Sequence, residues 1–328
     1  MTDFKLTTPV AFIIFNRPDT TERVFAEIAK AKPTKLLVVA DGARTNRLGE
    51  AEKVAATRAI IKRVNWDCEV LTNYSEVNLG CKMRVSSGLD WVFEQVPDAI
   101  ILEDDCLPDP TFFRFCEEML ARYRNDQRIG MISGDNLQFG RRENDESYYF
   151  TKYVHIWGWA TWRDRWQNSY DVNLKKWPLI REQGRILDIV TYRYQGNYWS
   201  SIFDKVYNNK IDTWDYQWVF ANWVEGRINV APNVNLISNI GFDRVDATHT
   251  TGRSDESNLP FFNMQFPLKH PKYILITGGN DDFEFKKLNK RSVFKRAISK
   301  SIAIIKTVGY KMQVKFTSKN TKCKFPFD

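Results

Sequence analysis

The 328-residue chain predicts a doubly wound α/β fold: a mostly parallel sheet flanked by helices, then an aromatic-rich half and a basic C-terminal tail. Three observations predict it. Short apolar runs (PVAFIIF, KLLVVA, AIIL) alternate with amphipathic segments through residue 125, and each run ends in polar residues. Nine of the eleven Trp fall between Trp157 and Trp223. From Lys286 to Asp328 there are thirteen Lys/Arg and one acid.

Residues 9–15 (PVAFIIF) read as a buried strand ended by Asn16-Arg17-Pro18-Asp19. The segment from Thr20 has helical spacing, with Val24, Ile28 and Ala31 on one face. Residues 35–40 (KLLVVA) form the next strand and run into Asp41-Gly42; residues 50–64 are helical, and residues 68–71 are a short strand. Residues 80–96 form a long amphipathic helix, AIIL is the central strand, and residues 111–123 are helical again. Residues 129–133 add one more strand before aromatic residues dominate. The organisation expected is residues 1–126 and 127–283 as two halves of one domain, with 284–328 as the tail.

Composition narrows the function classes. A 43% hydrophobic content excludes a disordered chain. Residues 1–10 carry no basic segment leading into an apolar core, so no signal peptide is expected. No window of about 18 apolar residues predicts a membrane span. Five Cys without a CxxC pair fit a reducing compartment, and three His argue against a structural zinc site. The tail carries +12 of the total +8, which leaves residues 1–285 at −4; a nucleic-acid partner for the body is therefore not expected.

The dinucleotide fingerprint GxGxxG, the phosphate loop GxxxxGK[ST] and the phosphatase motif DxDx[TV] are all absent. What stands out is AIIL followed by Glu103-Asp104-Asp105. Doubly wound sheets bind ligands at the carboxyl ends of their strands, where Asn16, Arg17 and Asp41 also fall. Three consecutive acids repel one another unless a positive charge sits among them. Oxygen donors of this kind suit Mg²⁺ or Mn²⁺ held against phosphates, whereas the plain alternative is a solvated loop.

The chain resembles the GT-A-type, nucleotide-sugar-dependent glycosyltransferases, and more narrowly bacterial transferases similar in pattern to the N-acetylglucosaminyltransferase I family. The resemblance runs from about residue 9 to residue 249. It rests on Leu102-Glu103-Asp104-Asp105, on Pro110-Thr111-Phe112-Phe113, on Trp157-Gly158-Trp159 and on Trp214-Asp215-Tyr216-Gln217-Trp218. It implies a Rossmann-like GT-A fold and an inverting, metal-dependent transfer from a nucleotide sugar, a UDP-sugar by preference, to a saccharide or lipid-linked saccharide in cell-surface polysaccharide or lipopolysaccharide synthesis. It also implies a cytoplasmic enzyme.

The same resemblance implies roles for individual residues. Asp105 would coordinate the metal, Asp104 would face the ribose or the metal's water shell, and Glu103 would orient the site. Arg17 would contact the diphosphate, beside Asn16, the plain alternative being a solvated Arg at a helix entry; Asp41 would hydrogen-bond the base, the plain alternative being a turn former in Asp-Gly. Independently of the resemblance, Lys82 and Arg84 open the long helix before the triplet, where they would face the phosphates or lie in a solvated first turn; Ser86 stands where the animal pattern carries a base-contacting His. His249 would close over the donor, on the metal or a phosphate. Asp215 is the candidate general base, with Asp212 the neighbouring choice because the family pattern has two adjacent acids here. The plain reading of Asp215 is a helix N-cap. Trp157, Trp159 and Trp214 would line the acceptor, with Asp135 and Asn136 offering hydrogen bonds and Gly158 permitting close approach near the sugar; core packing is the alternative for the Trp residues.

Two other classes remain open on the sequence. A carbohydrate-binding protein without turnover would retain the pocket, and a sugar nucleotidyltransferase also places metal-binding acids at a strand end. The latter normally carries a Gly-rich basic loop after its first strand, and FNRPDTTERV is not one. Residues 291–306 (RSVFKRAISKSIAIIK) place Phe294, Ile298, Ile302 and Ile305 on one helical face among basic residues, which predicts docking on an anionic membrane surface at the inner face of the cytoplasmic membrane.

Overall fold

The computed structural model describes residues 4–142, 144–242 and 256–289. His249 and the basic segment 291–306 lie outside them. A compact body extends through Asp281, and a C-terminal unit begins at Asp282.

The body is an α/β fold built on an eight-stranded sheet with helices on both faces. Its first part alternates strictly: β1 (Val10–Ile14), α1 (Pro18–Ala31), β2 (Lys35–Ala40), α2 (Glu50–Ile60), β3 (Glu69–Tyr74), α3 (Gly80–Gln95), β4 (Asp98–Glu103). A short β5 (Cys106–Pro108) and α4 (Thr111–Tyr123) follow, then β6 (Ile129–Ser133), β7 (Tyr148–Thr151) and β8 (Trp159–Trp162). Helices α5 (Arg163–Gln167), α6 (Trp177–Glu182), α7 (Arg193–Tyr207) and α8 (Asp215–Val224) precede β9 (Ile228–Pro232), β10 (Ile237–Asn239) and α9 (Gly278–Leu288). The strand order is β3-β2-β1-β4-β8-β6-β9-β7. Only β8 and β7 run against the other six strands. The two sequence halves thus share one sheet, with β8, from the second half, paired to β4.

Burial on both faces explains the continuous apolar runs. Phe12, Val38 and Leu102 point to one face, under α1 and α4; Ala11, Val39 and Ile101 point to the other, under α3 and the Trp cluster. Two boundaries differ from expectation. Helix α1 starts at Pro18, because proline's fixed φ suits the first helical turn and its missing N–H costs nothing there. Strand β3 runs to Tyr74, since its pairing with β2 continues to Ala40–Tyr74 although its own residues are only partly buried.

Register places the site. Ile13 lies opposite Glu103 and Ile14 opposite Ala40, so β1, β2 and β4 end together. The loops at Asn16-Arg17, Asp41-Gly42 and Asp104-Asp105 therefore leave the sheet from one edge. Strand β10 pairs antiparallel with β5, Asn239 opposite Cys106, which brings Ile240 and Gly241 against Asp105.

Candidate active site

The acids at the end of β4 are held by their neighbours. The Phe15 N–H donates to Asp104 Oδ2 at 3.0 Å. Arg17 Nη1 donates to Asp105 Oδ2 at 2.7 Å and lies 3.8 Å from Asp104 Oδ1. These side chains are largely enclosed, so the pair is poorly screened. Burial, then repulsion from Asp105, Asp104 and Asp215, pushes the Glu103 carboxyl up to about 8. A carboxyl buried beside other carboxylates holds its proton toward neutrality chiefly because burial disfavours the charged form, with repulsion adding to it.

That coupling also brings Asp215 to the site. It opens α8, accepts a hydrogen bond from the Thr213 hydroxyl, and acts electrostatically on Glu103, Cys81, Tyr170, Tyr198 and Tyr216. The helix-capping and site readings of Asp215 are thus compatible. Asp212 is exposed and accepts the Lys82 N–H at 3.2 Å at the start of α3, and it acts electrostatically on the same Cys81 as Asp215 does.

Several of the expected donor-side residues are engaged within the protein. Asp41 accepts from Asn78 Nδ2 and from the backbone N–H groups of Gly42, Leu79 and Gly80, between 2.9 and 3.2 Å. Those donors fill its lone pairs, so it anchors the loop entering α3 and has no acceptor left for a base. Burial nevertheless raises its carboxyl above the usual range. Arg84 is buried and donates to the carbonyl and side-chain oxygens of Asn73, away from any phosphate role. Lys82 Nζ donates to Asn209 Oδ1 at 2.8 Å, which ties α3 to the turn after α7. Asn16 donates to Glu50 Oε1 at 2.9 Å, and Arg44 also pairs with Glu50, so Asn16 shapes the β1–α1 loop.

The aromatic expectation needs the largest correction. Trp159 has no exposed surface and stacks on Trp214, itself buried, with ring centroids 5.7 Å apart; Trp166 and Trp218 complete the cluster beneath the sheet. Neither Trp159 nor Trp214 offers a face to an acceptor. Trp157 is partly exposed and packs edge-on against Phe242. Gly158 has φ +64°, and a Cβ there would meet Ile237 at 2.5 Å, so its closeness is to β10 and not to a sugar. Asn136 is spent on the Pro232 carbonyl and the Gln138 N–H, and Asp135 is 2% exposed. Both build the loop after β6 and neither lines an acceptor surface. Ser86 donates to the Lys82 carbonyl inside α3 and makes no base-facing contact.

Two residues carried no signal in the sequence. Cys81, in the first turn of α3, lies among Glu103, Asp215, Asp212 and Asp105, and burial with these charges keeps it a thiol. Gly241 follows β10, and a Cβ built on it would stand 2.1 Å from Asp105 Oδ2. Only glycine lets the backbone pass so close to that carboxylate. A lone Gly or Cys is legible as part of a site only once β10 is known to lie against β5.

Among the described residues, no three His, Cys, Asp or Glu side chains converge as a complete metal cage. The donor chemistry still fits a hard cation. Carboxylate oxygens of one or two residues plus substrate phosphates are the usual surroundings of Mg²⁺, and the adjacent carboxylates of Asp104 and Asp105, both within 4 Å of Arg17 Nη1, supply oxygen donors of that kind.

No protein-family model matches the chain, and no curated protein matches it. Among solved structures, the chain is similar to a UDP-glucose pyrophosphorylase complexed with UDP-glucose, at 10% identity over 69% of this chain and 90% of that one, TM-score 0.34. Mouse xyloside xylosyltransferase 1 is similar at 9% identity over 66% and 81%, TM-score 0.31. The inositol-1-phosphate CTP transferase from T. maritima is similar at 9% identity over 70% and 86%, TM-score 0.30.

Proposed function

We propose that the protein is a nucleotide-sugar-dependent glycosyltransferase that inverts configuration at the transferred sugar. The observation that carries this reading is the convergence of Arg17, the triplet Glu103-Asp104-Asp105 and Asp215 at one sheet edge, where Asp215 is close enough to help hold the proton on Glu103. Asp104 and Asp105 would hold Mn²⁺ or Mg²⁺, which when bound offsets negative charge on a diphosphate leaving group. Arg17 adds a fixed positive charge toward the same diphosphate. Asp215 accepts the proton of the acceptor hydroxyl as that oxygen bonds to the anomeric carbon and the bond to the diphosphate oxygen breaks. The aromatic cluster of Trp159 and Trp214 supports the Asp215 end of this arrangement from beneath.

The donor is read as a UDP-sugar and the acceptor as a saccharide or lipid-linked saccharide of the cell surface, reached at an anionic membrane through the basic tail. The enzyme would then act in the cytoplasm, at the inner face of the membrane. The decisive experiment incubates the protein with a panel of nucleotide sugars and saccharide acceptors, with Mn²⁺ or with EDTA, and identifies the nucleotide product. Nucleoside diphosphate with a sugar of inverted anomeric configuration is expected. Formation of nucleotide sugar from a nucleoside triphosphate and a sugar phosphate, with pyrophosphate released, would assign the chain to the nucleotidyltransferases instead. Saccharide binding without any product would leave a lectin-like scaffold.

A further inference from the structure

At the far edge of the sheet, strand β7 is accompanied by the segment 269–277. The two are joined at both ends: the Ser147 N–H donates to the Lys269 carbonyl at 2.8 Å, and the Thr277 N–H donates to the Phe150 carbonyl at 3.0 Å. Between these ties β7 has two residues, 148 and 149, whereas the accompanying segment has seven, 270–276. The longer segment must arch away, and the arch encloses a cavity of about 310 Å³. Its floor is Tyr149 and Phe150, and its walls include Glu146, Lys272, Tyr273 and Leu275.

This cavity has a composition that a packed core does not need. Tyr273 is 63% exposed and Leu275 69% exposed, although both belong to a segment anchored on each side. Glu146 is tied at its backbone: its carbonyl accepts from Arg142 Nη2 and Asn233 Nδ2, and Ser147 beside it binds Lys269 in both directions. Glu146 Oε2 is enclosed yet has no hydrogen-bond partner. A desolvated carboxylate oxygen left without a donor is costly, and a ligand hydroxyl supplies the missing donor.

We propose that this groove is a second saccharide-binding site, taking one unit of a neutral glycan. The C–H face of a pyranose would lie on the Tyr273 ring, Leu275 and Tyr149 would line its apolar side, and a hydroxyl would donate to Glu146. A pocket that combines aromatic surface with few placed polar groups is the usual form of a small-molecule site, and this volume is at its lower end. Strand order places β7 four strands from β4, about 19 Å at roughly 4.8 Å per strand. The sugar held here is therefore not the one that reacts at Glu103-Asp104-Asp105, but a remote unit of the same chain or of a product. Only that connection to transfer rests on the proposed function; the binding itself does not.

The test uses the full-length protein without donor nucleotide, so that a failure of catalysis and a failure of binding are separate results. Lactose, cellobiose and N,N′-diacetylchitobiose, each at about 10 mM to reach weak affinities, are presented to wild type, Tyr273→Ala and Glu146→Gln, and contacts are read by saturation-transfer NMR. The expected result is transfer to at least one disaccharide in the wild type, reduced at least fivefold in Tyr273→Ala, with thermal melts unchanged because Tyr273 is exposed. Glu146→Gln should weaken binding while leaving the same sugar protons in contact. Absence of transfer to all three sugars, or equal transfer in wild type and Tyr273→Ala, overturns the proposal. Competition by an extended peptide would instead assign the groove to strand addition on β7 and overturn it as well.

Discussion

At the scale of single residues, the chemistry rests on a few carboxylates whose roles can be separated. Asp105→Asn is expected to abolish or nearly abolish nucleotide release with an unchanged melting curve, since Arg17 and the backbone around it remain. Asp215→Asn should still bind donor but lose turnover by about 10²-fold or more, the usual size of a general-base effect. If Asp212→Asn is the inactive variant and Asp215→Asn is not, the base is Asp212. Gly241→Ala tests the close approach of β10: its methyl would displace Asp105 and so its contact with Arg17. A drop in nucleotide release of about tenfold or more, the factor that about 1.4 kcal/mol of misplacement produces, is expected. Glu103 gives a pH signature. From about pH 4.5 to about pH 8 the folded protein holds a proton there that the unfolded chain has released, so stability falls as pH rises through that window. Urea midpoints measured in EDTA across this range should decline in wild type, and the decline should be shallower in Glu103→Gln.

At the scale of elements, tight packing seats α3 and the Trp cluster against the sheet. Helix α3 lies so close to β2 that a Cβ on Gly88 would stand 2.4 Å from Val39 Cγ1. Val39 is β-branched and fully buried, and it has no room to yield. Gly88→Ala should therefore cost about 1–3 kcal/mol, visible as a lower denaturant midpoint with an unchanged slope. The Trp cluster makes a parallel case. Trp159→Ala removes a fully buried ring stacked on Trp214 and should destabilise by about 3–5 kcal/mol. Trp157→Ala, at a partly exposed position, should change stability far less. The opposite ranking would return Trp159 to a surface role.

At the scale of the whole molecule, charge is divided unevenly: −4 over residues 1–285 and +12 from Lys286 onward. No helix among the described residues is long and apolar enough to cross a membrane. Each basic residue near an anionic surface contributes about 1 kcal/mol, so a few of the thirteen suffice for reversible docking. Full-length protein should sediment with vesicles containing anionic lipid and be released by salt, whereas a chain ending at Asn289 should remain in the supernatant. Equal behaviour of the two chains, or binding indifferent to lipid charge, would remove the membrane from the proposed function.

The alternation of apolar strands with amphipathic helices, and the polar residues closing each strand, already determined the α/β fold and the edge that carries the acids. Those features are local: period and burial on two faces leave a trace in the order of residues. Asp41 and Arg84 are engaged with Leu79 and Asn73, partners set by how loops fold back, which spacing does not encode. Trp159 and Trp214 read equally well as an acceptor wall or as core, because a large aromatic ring serves both; only the position of β8 beside β4 put them inside. Cys81 and Gly241 entered the site through contacts between α3, β10 and the triplet, separated by up to 160 residues. Distance in the chain hides such neighbours, and only the tertiary structure brings them to one edge.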